Sequence, residues 1–134
     1  MQDDAVLFMI QEARRGITEP VAGLPRVAQI LLVTPLQAAA LVEETSYELD
    51  PGPSPAYVAE IREDLVAGEY IPTPEVVMAS IGTQRRCVAG RAFLEAVAGL
   101  ADGEYRCVIQ AYRCERWSQV SSLYWSCIMA SLAP

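Results

Sequence analysis

The chain has 134 residues, 52% hydrophobic and 20% charged, with ten basic and seventeen acidic side chains and a formal net charge of −7. That is the size and composition of one globular domain with a real core, and its acidity is poorly suited to non-specific binding of phosphate backbones. All ten basic residues are arginine, and histidine and lysine do not occur, which excludes Ser-His-Asp and Cys-His catalysis, histidine metal ligation, lysine Schiff bases and a P-loop lysine.

In chain order, Asp3 and Asp4 precede "AVLFMIQEARRG". Acids at the start, Arg14 and Arg15 in the last turn and Gly16 beyond predict a short helix with its dipole complemented at both ends. Acids stand where a signal peptide needs a basic region, so the expected location is the cytosol. "ITEPVAGLP" reads as linker and "RVAQILLV", residues 26–33, as a strand. Thr34, Pro35 and Gln37 form a capping box with proline at the first helical position, opening a helix through about Glu44. A proline-rich loop follows. Ser54 and Pro55 start a second helix whose apolar stripe is Val58, Ile61 and Leu65, and Gly68 stops it. Pro72 and Pro74 hold "YIPTPE" extended.

"VVMASIG" reads as a buried strand. The basic run "RRC" then meets Gly90 and a helix predicted over about residues 88–98. Asp102-Gly103 is a turn into "YRCVIQAYRC". There Tyr105, Cys107, Ile109 and Ala111 alternate with Arg106, Val108, Gln110 and Tyr112, giving a strand with one apolar face. Residues 117–132 predict a C-terminal helix with no charge. Val120, Leu123, Tyr124, Cys127 and Ile128 share one face, and the helix is too short and too rich in serine to span a membrane.

Three clusters offer chemistry. Gly90 before a helix could let backbone N–H groups approach an anion, with Arg85, Arg86 and Arg91 adding charge. The alternative is that Gly90 permits close strand–helix packing and the arginines are solvated. Glu60 and Asp64 share a helix face and could bind a metal or share a proton, or simply face solvent. Cys87, beside two arginines and near a helix start, could be a thiol nucleophile, or a buried structural thiol. The four cysteines have no zinc-knuckle or redox spacing and read as reduced. Cys107 and Cys114, an odd number apart in one strand, belong to opposite faces.

The order of elements resembles the small ParB-like proteins common in bacteriophages and mobile elements, related to the ParB N-terminal and sulfiredoxin fold. "VTPLQAAALVEE", "VAEIREDLVAGEY", "VVMASIG" and "FLEAV" carry the likeness, over residues 30–114. The phrase from Asp64 to Tyr70 is similar to the end of that family's second helix, with one extra residue before the aromatic. The family's motif Asp-Gly-Gln-His-Arg-Leu falls on Ala89 to Leu94. Gly90 and Leu94 keep the glycine and leucine, while Ala89, Arg91, Ala92 and Phe93 replace every polar residue. The ParB form Gly-Glu-Arg-Arg, which contacts nucleotide phosphates, and the sulfiredoxin cysteine after glycine are both missing.

The resemblance implies an α+β fold, a small mixed sheet with packed helices over about residues 26–115, and an added helix over about 117–132. It implies an active-site turn whose geometry is kept and whose catalytic groups, cofactor and metal are not. The expectation is a non-catalytic binding protein of phage or mobile-element type, acting in the bacterial cytosol on a protein partner, one version being inhibition of a host protein. The alternative is a nucleotide-phosphate or other small-ligand site, or a residual nucleotide enzyme, at Gly90. Direct DNA binding is disfavoured by charge. Trp117, Trp125 and Met129 on the added helix have the composition of an interface core, and predict a homodimer or a docked partner.

Overall fold

The computed structural model describes residues 21, 23–69 and 73–132, without the side chains of Ser131 and Leu132. The helix expected near the N-terminus and the extended segment at 70–72 lie outside the described residues. The fold is α+β: among the described residues four strands and four helices run in the order β1 (Arg26–Val33), α1 (Pro35–Glu44), α2 (Pro55–Ala67), β2 (Glu75–Ile81), β3 (Gln84–Ala89), α3 (Arg91–Ala98), β4 (Tyr105–Arg113) and α4 (Trp117–Leu132).

Local chemistry places the helices as read. The Thr34 hydroxyl accepts from Gln37 N–H at 3.2 Å and the Gln37 side chain accepts from Thr34 N–H at 3.0 Å, closing the capping box of α1. Ser54 accepts from Tyr57 N–H and opens α2, which Gly68 ends. At the start of α4 the Gln119 side-chain Oε1 accepts from the N–H groups of Glu115 and Arg116.

The sheet order is β1-β4-β2-β3. β1 and β4 are antiparallel, β2 and β4 parallel, and β2 and β3 form an antiparallel hairpin with a register shift between Val77 and Met78. One face carries Val33, Val76, Met78, Cys87 and Cys107 under Ala38 of α1 and Phe93, Leu94 and Val97 of α3. α2 packs on α3 through Val58, Ile61 and Ala96. The other face carries Val77, Ala79 and Val88 under Tyr47 and Val120, Leu123 and Tyr124 of α4. Cys107 and Cys114 fall on opposite faces, as their odd separation requires. None of the four cysteines forms a disulfide.

One expectation is corrected. The helix predicted over 88–98 begins only at Arg91, because residues 84–89 form β3 and pair with β2 across the two-residue Gly82-Thr83 turn. α4 is buried through its first half, while Trp125 and Met129 in its second half are exposed. α4 is a third layer, on the sheet face away from α1 and α3, and its Ser118, Gln119, Ser121 and Ser122 are buried along with the apolar face. Among the described residues no helix is long and apolar enough to cross a membrane.

Candidate ligand site at the Gly90 turn

β3 delivers the chain to Gly90, which caps α3 in the left-handed region at φ 88°. A β-carbon there would lie 2.5 Å from the Glu75 carbonyl oxygen and 2.8 Å from Val76 Cα. Only glycine lets the turn touch β2 this closely, so packing alone accounts for the residue.

The three arginines around the turn do not converge. Register places Arg85 opposite Ser80 and Arg86 opposite Ala79, so their side chains leave β3 on opposite faces. Arg85 reaches Glu44 at 3.9 Å, both well exposed. Arg86 grips Glu48 with two nitrogens, at 2.7 and 3.2 Å, and its guanidinium lies 5.1 Å from the Trp117 ring centre. Arg91 pairs with Glu95 one helical turn away at 2.9 Å, and its guanidinium lies against Gly52. Each cation has its own carboxylate.

What opens beside Gly90 is a cavity of about 250 Å³ lined by Asp50, Val88, Tyr124, Cys127 and Ile128. Its one ionisable carboxyl is Asp50, which accepts from Gly52 N–H at 2.9 Å and holds the Asp50-Pro51-Gly52 turn. An anion entering here would meet an acid before an arginine. Asp50, Tyr124 and Cys127 went unread as neighbours of Gly90. The proline and glycine around Asp50 mark a turn, but nothing local says where the turn docks.

The thiols are shut down. Burial pushes Cys87 up to about 12, against a smaller opposing effect of the bond its Sγ donates to the Ala89 carbonyl. Burial also raises Cys107 and Cys127. A nucleophilic Cys87 needs the opposite shift and an accessible sulfur, and Cys87 is 2% exposed. Tyr47 rises to about 12, chiefly through burial. Its hydroxyl makes no hydrogen bond of good geometry, and Ser121 is the side chain that most offsets the effect of burial.

Glu60 is exposed on α2, while Arg62 between it and Asp64 turns to α3 and donates to the Ala96 and Glu95 carbonyls at 3.0 and 3.2 Å. No group of three or more metal-ligating side chains occurs among the described residues.

On α4, Trp117 is half-buried, with the Arg86 guanidinium over its ring. Trp125 stands edge-on to Tyr124 and is 41% exposed, with Met129 one turn further on and 65% exposed. The larger apolar exposure lies elsewhere: Val27, Ile30, Leu31 and Leu32 on β1 and Leu36 on α1 all face solvent. An apolar run reads as a strand in either setting, so its exposure has no sequence signal. Compared with known proteins, the chain matches no family model, no curated protein and no solved structure.

Proposed function

We propose that this chain is a non-catalytic binding protein on a ParB/sulfiredoxin-like scaffold, working in the bacterial cytosol through contact with protein. The observation that carries the reading is the cluster of large apolar side chains on β1 and at the start of α1, Ile30 at 69% exposure among them. Large apolar side chains exposed on both faces of a strand cost solubility unless a partner covers them. The paired arginines and high-pKa thiols around Gly90 support the same reading, since they leave little there to bind or transform a ligand.

Affinity capture from bacterial lysate tests it, using wild type and Ile30→Glu/Leu32→Glu side by side. The expected result is a specific protein held by wild type and lost by the variant. Equal recovery by both overturns the reading, as does none by either where the wild type also fails to bind a second copy of itself.

The second reading, a nucleotide phosphate at Gly90, draws on the cavity beside that turn. Thermal shift with mono-, di-, tri- and cyclic nucleotides tests it. Ligand at one hundred times Kd should stabilise by about 2.7 kcal/mol, and silence across the set removes it.

A further inference from the structure

We propose that β1 pairs with β1 of a second copy, in an antiparallel two-fold arrangement centred on Gln29, joining two four-stranded sheets into one of eight strands. This rests on the reading of the chain as a protein-binding module and names the partner of its apolar strand.

The hydrogen-bond pattern sets the geometry. Arg113 N–H donates to the Pro25 carbonyl at 2.9 Å. With Arg26 opposite Tyr112 and the register unbroken to Val33 opposite Tyr105, the residues that turn their N–H and C=O groups toward β4 are Val27, Gln29, Leu31 and Val33. Val108, opposite Ile30, agrees: its N–H points the other way and donates to the Pro74 carbonyl. The backbone groups of Arg26, Ala28, Ile30 and Leu32 therefore point out of the sheet, and β1 is its outermost strand among the described residues.

Those groups are self-complementary. With Gln29 on the two-fold axis, Ala28 lies opposite the second copy's Ile30, and Arg26 opposite its Leu32. All four outward residues on each strand then fall in hydrogen-bonded pairs. A shift of one pair, placing Ile30 on the axis, would leave Arg26 opposite the Thr34 helix cap and strand its donor. Side chains agree with the first register. Ile30 meets the small Ala28 on one face, and Leu31 meets Val27 on the other.

Charge agrees as well. Arg26 is the one charged residue of β1, at one end, so antiparallel pairing holds the two copies' arginines apart while parallel pairing would stack them. Arg26 is also drawn back over its own sheet, donating to Gln110 at 3.0 Å and lying 6.0 Å from the Tyr112 ring centre. β1 has none of the proline, lysine or inward-facing acids that blunt a free edge.

Sedimentation equilibrium and disulfide trapping test the proposal on the full chain. Wild type should show twice the monomer mass. Ile30→Lys should sediment as a folded monomer, because two ammonium groups would then sit beside the axis. Gln29→Cys should trap a covalent dimer on mild oxidation, since a non-hydrogen-bonded pair holds Cα atoms about 4.5 Å apart, within disulfide reach. Ala28→Cys and wild type should trap none. Gln29 is an exposed position, so that variant remains informative even if Ile30→Lys fails to fold.

A wild type that stays monomeric at every concentration overturns the pairing. So does a dimer that survives Ile30→Lys, or trapping at Ala28 and not at Gln29. Slow hydrogen exchange of the Ala28, Ile30 and Leu32 amides in a monomer would mean the chain's own residues cover the edge, and would overturn it equally. A monomeric wild type that captures a protein through β1 overturns the pairing and leaves the broader reading standing, while a wild type that neither pairs nor captures overturns both.

Discussion

The two edges of the sheet are opposites. β3 is built into the domain. Its Cys87 N–H donates to the Thr45 carbonyl at 2.6 Å, Arg85 and Arg86 are paired to acids, and α4 lies across it. β1 is bonded to β4 along one side and shows apolar side chains on both faces, with only Val33 buried. Each pairs with one strand of the sheet interior, β1 with β4 and β3 with β2. What separates them is what the connections bring: the loop after α1 returns to close β3, and no described element returns to β1. An edge closed by its own chain belongs to stability, and an edge left open belongs to association.

Four tests, some with a control variant, sharpen this contrast. The largest effect belongs to Gly90→Ala, at the end of β3. Left-handed backbone and a β-carbon 2.5 Å from the Glu75 carbonyl should together cost about 3 kcal/mol or more in urea unfolding. Gly68→Ala, also left-handed but with nothing within 4 Å, should cost only about 1 kcal/mol, which isolates the packing contribution.

Alkali should act next, and through the β3 side. Cys87 rises by burial from 9.0 to about 12, and Tyr47 from 10.0 to about 12. Between those values the unfolded chain has released a proton that the folded chain still holds. Their contribution to stability is therefore full below pH 9 and is lost as pH climbs toward 12. Unfolding midpoints measured from pH 7 to 11 should fall above pH 9, and Cys87→Ala should flatten the first part of that fall.

Arg86→Ala removes the two-nitrogen grip on Glu48 and the stack on Trp117. A loss of about 1 kcal/mol is expected, shrinking in high salt, as denaturant titration at two ionic strengths would show. The smallest effect should be on β1. Ile30→Thr, at an exposed site, should move folding stability by no more than about 0.5 kcal/mol while weakening self-association. A large loss of stability there would mean the two edges are not different in kind.

Much of the scaffold was legible from short-range chemistry. Thr34-Pro35-Gln37 and Ser54-Pro55 satisfy orphan N–H groups within one turn, and alternation in β4 sorts Cys107 from Cys114 without knowledge of a partner. The same local signals misplaced the start of α3, because the pairing that makes residues 84–89 a strand comes from β2. They also left the arginines of the Gly90 turn open, since Glu44 and Glu48 lie some forty residues away in the chain.

Periodicity states which side chains share a face. It does not state strand order, and strand order is what made β1 an open edge and β3 a closed one. Nor could a glycine before a helix announce its reason. The contact of Gly90 with Glu75 and Val76 exists only once the hairpin brings β3 against β2, so spacing alone could not separate an anion nest from a packing requirement. Caps, turns and faces are decided by groups a few residues apart. Edges, ion pairs and cavities are decided by long-range closure of the chain, which no local pattern encodes.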